Sequence, residues 1–176
     1  MPPDLLKPDL RVVFVGISNS AASGGPGHYY ANPDNRFWDL LHATGLAGEE
    51  WIHPSDDVTV LERGIGLTDL VPALAASSDP PLRSGDFDIP RFFEKLAEFK
   101  PRIIAFNGGY PARRVARHLR HPPPPEGPLD WPVAHSVAYR LPSSASDTAA
   151  DSYATRREKW VSFGDWARKL TAIGDS

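Results

Sequence analysis

One feature constrains this chain more than any other: short apolar runs alternate with segments of helical period. Arg11-Val12-Val13-Phe14-Val15-Gly16 is a near-continuous apolar run that stops on a glycine. Gly66-Leu67-Thr68-Asp69-Leu70-Val71, Ile103 to Phe106 and Val133 to Leu141 read as three more. Runs of this kind suit strands covered on both faces. Between them Phe37, Leu40 and Leu41, ending at Gly45, mark a short amphipathic helix. Phe92, Phe93, Leu96 and Phe99 mark another, stopped by Pro101. Ala112 to Leu119 predicts a basic helix. Ala149 to Leu170 predicts a last one, with Tyr153, Trp160, Phe163, Trp166 and Leu170 near helical spacing. Strands that alternate with helices predict a three-layer α/β/α fold with a central, mostly parallel sheet. Ser77 to Ile89 reads as a polar loop. His121 to Pro132, with four consecutive prolines, reads as a stiff surface segment and no packed element.

In such folds ligands sit beyond the carboxyl ends of the strands. Three segments begin at predicted strand ends: Gly16 to Asn35, Asn107 to Gly109, and Pro142 to Asp147. They are expected to converge on one cleft.

A chain of 176 residues suits a single domain over 1–176, and 41% apolar residues suffice for its core. The chain has no cysteine, which excludes disulfides, thiol nucleophiles and iron–sulfur clusters. The six histidines show no metal-ligand spacing, so no metal is expected, and no residue pattern implies a cofactor. No stretch approaches the ~20 apolar residues that span a bilayer. The polar, proline-broken start is unlike a signal peptide, and the expected location is cytoplasmic. The net charge of −3 means that any nucleic-acid face is a local patch.

The first loop carries the densest chemistry. Gly16-Ile17-Ser18-Asn19-Ser20 leads into Gly27-His28-Tyr29-Tyr30-Ala31-Asn32-Pro33-Asp34-Asn35-Arg36-Phe37-Trp38. A glycine-bounded loop after a buried strand exposes backbone N–H groups that hold an anion or a developing oxyanion. Asn19 and Asn35 offer amides that orient a water without titrating, and Tyr30 offers a stacking surface. The bland alternative is that these residues build turns. Asn107 presents a donor and an acceptor to a base edge, or is a turn residue. Arg113, Arg117 and Arg120 share one helical face beside Arg114, a basic patch for phosphates or a solvated face.

The whole pattern resembles the mismatch-specific uracil/thymine DNA glycosylases. These begin with a strand and Gly-Ile-Asn-Pro-Gly, then run to Asn-(Arg/His)-Phe-Trp, and the spacing from Gly16 to Trp38 matches without a gap. The likeness continues through Gly64 to Val71 and Pro101 to Gly108. It extends to Leu141-Pro142-Ser143-Ser144-Ala145-Ser146, which is similar to the family's DNA-inserting loop. The resemblance implies a monofunctional glycosylase that flips a deaminated base, uracil first, out of DNA. The partner would be double-stranded and possibly single-stranded DNA, and the enzyme a monomer. It implies base contacts from Gly16, Ile17, Ser20, Tyr30 and Asn107. It implies DNA contacts from Pro142, Ser143, Ser144, Ala145 and Ser146, to which the basic patch adds Arg113 and Arg117.

Three departures matter. Ser18 stands where the family has its water-orienting Asn, and Asn19 follows where the family has Pro. The Tyr29-to-Asn35 stretch resembles the hypoxanthine-type branch, in which an Asn before the aromatic pair is implicated in catalysis. The catalytic group is therefore Asn19, Asn35 or Ser18. Asp147 stands where thymine-acting relatives carry Arg, an acid expected to weaken binding beside phosphates. Two rivals remain: a damaged-base binding module with little turnover, and a serine hydrolase using Ser18 or Ser20 with His28 or His135.

Overall fold

The computed structural model describes residues 4–17, 27–70, 88–145 and 151–174. Its centre is a sheet of five strands in the order β2-β1-β3-β5-β4: β1 (Val12–Gly16), β2 (Ile65–Asp69), β3 (Ile103–Asn107), β4 (Gly127–Pro128) and β5 (Val137–Leu141). The first four in spatial order are parallel, and only the two-residue edge strand β4 runs against β5. Strand alternation then sorts the core into two layers. Val12 and Phe14 of β1 face one cluster, with Phe37, Trp160 and Phe163 from α1 (Phe37–Thr44) and the last helix. Val13 and Val15 face the other, with Phe92, Leu96, Ala112 and Val115. Those come from α2 (Ile89–Phe99) and α3 (Gly109–His118), and the last helix is α4 (Tyr153–Gly174). Helices therefore cover both faces, the expected three-layer α/β/α arrangement.

Local rules set the element ends. The Asp88 carboxylate caps α2 by accepting from the Arg91 amide at 3.1 Å, with Pro90 in the first turn. Lys100 takes a left-handed conformation before Pro101 and closes it. The open edge of β2 is covered by Leu5, whose amide and carbonyl both pair with Leu67.

Three expectations need correction, and one element is unexpected. The strand before Pro142 begins at Val137 and not at Val133, because Val133 and Ser136 close a tight turn around Ala134 at φ 54°. Helix α3 starts at Gly109, three residues early, since proline is tolerated in a first turn. The Pro-rich segment is a packed element: Pro124 is buried, its carbonyl accepts from Arg140, and Gly127–Pro128 form β4. A 3-10 segment at Pro54–Arg63, which the hydrophobic period does not announce, packs under β2. The polar loop from Ser77 lies outside the described residues except at its end.

Candidate active site at the carboxyl ends of the strands

Register brings the predicted segments together. Gly16 pairs with Asp69, and Asn107 pairs with Leu141, so β1, β2, β3 and β5 all end on the same rim. At that rim Gly16 has no room for a side chain. A Cβ there would lie 2.7 Å from Asp69 Oδ1 and 2.9 Å from the Tyr30 hydroxyl. Glycine is thus what lets a carboxyl and a phenol close over the end of β1.

Asp69 is the group that sequence reasoning misses. Its place in an apolar run makes it a strand residue there, although an acid at the end of a buried parallel strand is itself a signal. Its Oδ2 is buried and, among the described residues, has no hydrogen-bond partner. Burial first, and the nearby Asp4 carboxylate second, push its pKa up to about 7, against a smaller opposing pull from Lys95. Lys95 is spent mainly on Asp4, at 2.5 Å, and Asp4 also accepts from Thr68 at 2.8 Å.

Tyr30 sits in a left-handed conformation at φ 50°. Its ring stacks on Phe37, centroids 4.1 Å apart and 21° between planes. Burial and Asp69 hold its hydroxyl above the ordinary phenol range, while a hydrogen bond with Asn107 pulls the other way. One face of the predicted stacking platform is therefore taken by the core.

Asn107 is 9% exposed and faces the loop after β5. Its Nδ2 donates to Ser144 Oγ at 2.8 Å and its Oδ1 accepts from the Ser144 amide at 2.9 Å. Ser144 Oγ in turn donates to Asn35 Oδ1 at 2.7 Å, and the Phe37 amide donates to the same oxygen at 3.0 Å. Both lone pairs of Asn35 Oδ1 are committed, one to the start of α1 and one to the loop. Asn35 thus acts as a brace in this arrangement, with Ala145 bridged to it and the Arg36 amide donating to Ser144 O.

The loop itself hangs from α4. Trp160 Nε1 donates to Pro142 O at 3.0 Å, and Arg156 Nη1 donates to Ser143 O at 2.9 Å. Gly108, at φ 105°, lets Ser143 approach, since a Cβ there would stand 3.2 Å from the Ser143 Cβ. Ser143 Oγ accepts from the Ala145 amide at 3.1 Å. In sequence Arg156 and Trp160 are helix positions, and no signal ties them to a loop far back in the chain.

Of the remaining candidates, Ile17 is half-buried and packs against the α2–α3 layer. Ser18, Asn19, Ser20, Ser146 and Asp147 lie outside the described residues. Arg113 and Arg117 are exposed along α3. His28 Nδ1 lies 3.4 Å from the buried Asp57, whose other oxygen accepts from the Tyr29 amide. His135 precedes β5, at the opposite end of a five-residue strand. That is roughly 13–16 Å from the rim at strand rise.

The comparisons with known proteins agree with this architecture. A solution NMR structure from Methanosarcina acetivorans, provisionally named a uracil DNA glycosylase, superposes with a TM-score of 0.61 at 23% identity, over 95% of this chain and 96% of that one. That likeness speaks for the fold. The model of the uracil DNA glycosylase superfamily matches residues 3–162. The chain therefore belongs to the uracil DNA glycosylase superfamily and, by that membership, to the DNA glycosylases, hydrolases that act on DNA.

Proposed function

We propose that the chain removes uracil, and other deaminated bases less readily, from DNA by hydrolysis at the rim where Gly16, Asp69, Tyr30 and Asn107 meet, as the first step of base excision repair. The observation that carries this reading is the Asp69 carboxyl at the end of β2, whose Oδ2 has no partner among the described residues and whose Oδ1 meets the Tyr30 hydroxyl over Gly16. Flipping delivers the base to this rim, and Tyr30 and Asn107 border it. The glycosidic bond breaks through an oxocarbenium-like sugar and the base leaves as an anion. Backbone N–H groups of the 17–20 loop stabilise that anion. Water attacks the sugar carbon. Asp69 takes the water's proton, and the electron pair of the broken bond stays on the base. A carboxyl held near pH 7 is well matched to this task. It also supplies an acceptor that Asn35, with both lone pairs committed, lacks; Ser18 or Asn19 would then help to hold the water. No lysine lies in the matched sequence motifs, and Lys95, which pulls on Asp69 from nearby, is paired with Asp4 at 2.5 Å; in this reading the chemistry is hydrolytic, without an imine and without strand cleavage.

The chain acts as a single-domain monomer in the cytoplasm in this reading. Ser143, Ser144 and Ala145 face the gap left by the flipped base, and Arg113 and Arg117 hold phosphates. The test is base release from labelled duplexes carrying uracil, thymine, hypoxanthine or xanthine, and from the matching single strands. Uracil opposite guanine should be released faster than uracil opposite adenine, because a mismatch costs less to open. Release of hypoxanthine with uracil untouched would assign the pocket to another base.

A further inference from the structure

A cavity of about 540 Å³ lies outside the rim, between α3 and the proline segment. Tyr110, Arg113, Arg117 and Arg120 line one side, and His121 and Pro123 the other. It begins one helical turn beyond the end of β3: Tyr110 follows Asn107 by three residues, and the Arg113 guanidinium reaches back to Gly109. Tyr110 is 45% exposed, a large ring on the surface, with Arg113 Cζ 5.7 Å from its centroid. At the far end His121 stacks on Trp131 at 4.4 Å and 7°. Among the described residues none of Arg113, Arg117 and Arg120 meets a carboxylate, in a chain whose acids outnumber its bases by three. Positive charge concentrated in a concave groove, with an exposed ring at its mouth, is the chemistry that holds a single nucleic-acid strand.

We propose that this groove is a subsite for an unpaired nucleotide of the DNA strand that carries the lesion, its base laid on Tyr110 and its phosphate on Arg120, next to the duplex phosphates that Arg113 and Arg117 hold. The inference rests on the DNA glycosylase reading and adds a substrate class to it: uracil close to a gap, a fork or a frayed end. The volume fits one strand. A cleft of this size takes a ligand of nucleotide dimensions, and a duplex touches only its edge. Arginine donors and a ring face do not read base edges, so the subsite is indifferent to sequence.

The test compares a blunt uracil duplex with the same duplex carrying a short unpaired extension on the uracil strand, on either side, by fluorescence anisotropy with the full chain. One extension should tighten binding about tenfold or more, the contribution of one stacked base. Tyr110→Ala should erase that gain and leave the blunt duplex within about twofold. Arg120→Gln, a second surface change, should lower the salt slope on the extended ligand by about 0.7 and not on the blunt one. No gain from either extension overturns the proposal. So does a gain that Tyr110→Ala leaves intact, or an equal loss on both ligands, which marks an ordinary duplex contact. Base release from the blunt duplex is followed in parallel. If no ligand loses its base, the glycosylase reading fails while the extension effect is judged on its own; if base is released without an extension effect, only the subsite fails.

Discussion

At the scale of single residues, the site is organised by what each polar group has left to offer. Asn35 and Asn107 are legible as candidates because amides beside glycine turns stand out in sequence. Their partners are not, since Ser144 reaches them from more than thirty residues away in the chain. Asp69 is hidden for the opposite reason: its neighbours Leu67, Leu70 and Thr68 make it look like strand filler. Its raised pKa has two consequences. The ordinary carboxyl value of 3.8 is lifted to about 7 in the fold, so between those limits the native state binds more protons than the unfolded one. Stability contributed at this position is therefore lost as pH rises from about 4 to about 7, and the buried charge costs a few kcal/mol above that, at about 1.4 kcal/mol per pKa unit. Asp69→Asn should melt higher than the parent at pH 8 and show no such difference at pH 4. The same variant should lose about 10²–10⁴ in excision rate and the rate limb that rises through pH 7. Melting and single-turnover rates across pH measure both. A variant with parental rates and an unchanged melting difference would take Asp69 out of the site.

At the scale of elements, strands are easier to read than their surroundings. β1, β2 and β3 fall within a residue or two of the expected runs, because a strand buried on both faces is nearly all apolar. The 3-10 segment and β4 are not legible. Each is fixed by tertiary partners such as Arg140 on Pro124, and not by a local period. Helix α4 shows both sides of this. Its aromatic spacing is plain in sequence, yet its second task, suspending the 142–145 loop, emerges only in the fold. Two substitutions separate the tasks. A Cβ at Gly164 would stand 2.5 Å from Thr44 O, where α4 crosses α1, so Gly164→Ala should cost about 1–3 kcal/mol by overpacking. The melting temperature should fall by about 2–4 °C per kcal/mol, with affinity for duplex unchanged in the folded protein. Trp160→Phe keeps most of the ring stacked on Phe14 but removes the donor to Pro142 O. It should cost a similar ~1–3 kcal/mol and also weaken binding to abasic duplex. Equal DNA affinities for the two variants would show that the loop does not depend on α4.

At the scale of the whole molecule, charge is a matter of placement. A net charge of −3 repels DNA on average, so in the proposed reading binding depends on the α3 arginines and the rim. Arg113→Ala and Arg117→Ala should weaken all duplexes alike, and each should lower the salt slope by about 0.9 for every phosphate it no longer neutralises. An unchanged slope would make that face solvated helix. The three-layer architecture and the convergence of the strand ends are readable from the alternation of elements; which polar groups meet at the convergence is not, because register and the return of Asp4, Ser144 and Arg156 are set by the packed molecule. The central claim concerns what that convergence does, and one measurement bears on it most directly. Enzyme in excess is mixed with a labelled duplex holding uracil opposite guanine, and free base and strand integrity are followed in time for the parent chain and for Asp69→Asn. The account predicts free uracil, an intact strand that breaks only on treatment with alkali, and a rate reduced at least ~10²-fold in the variant. Duplex retained without release of base, or release at the parental rate by Asp69→Asn, would contradict it.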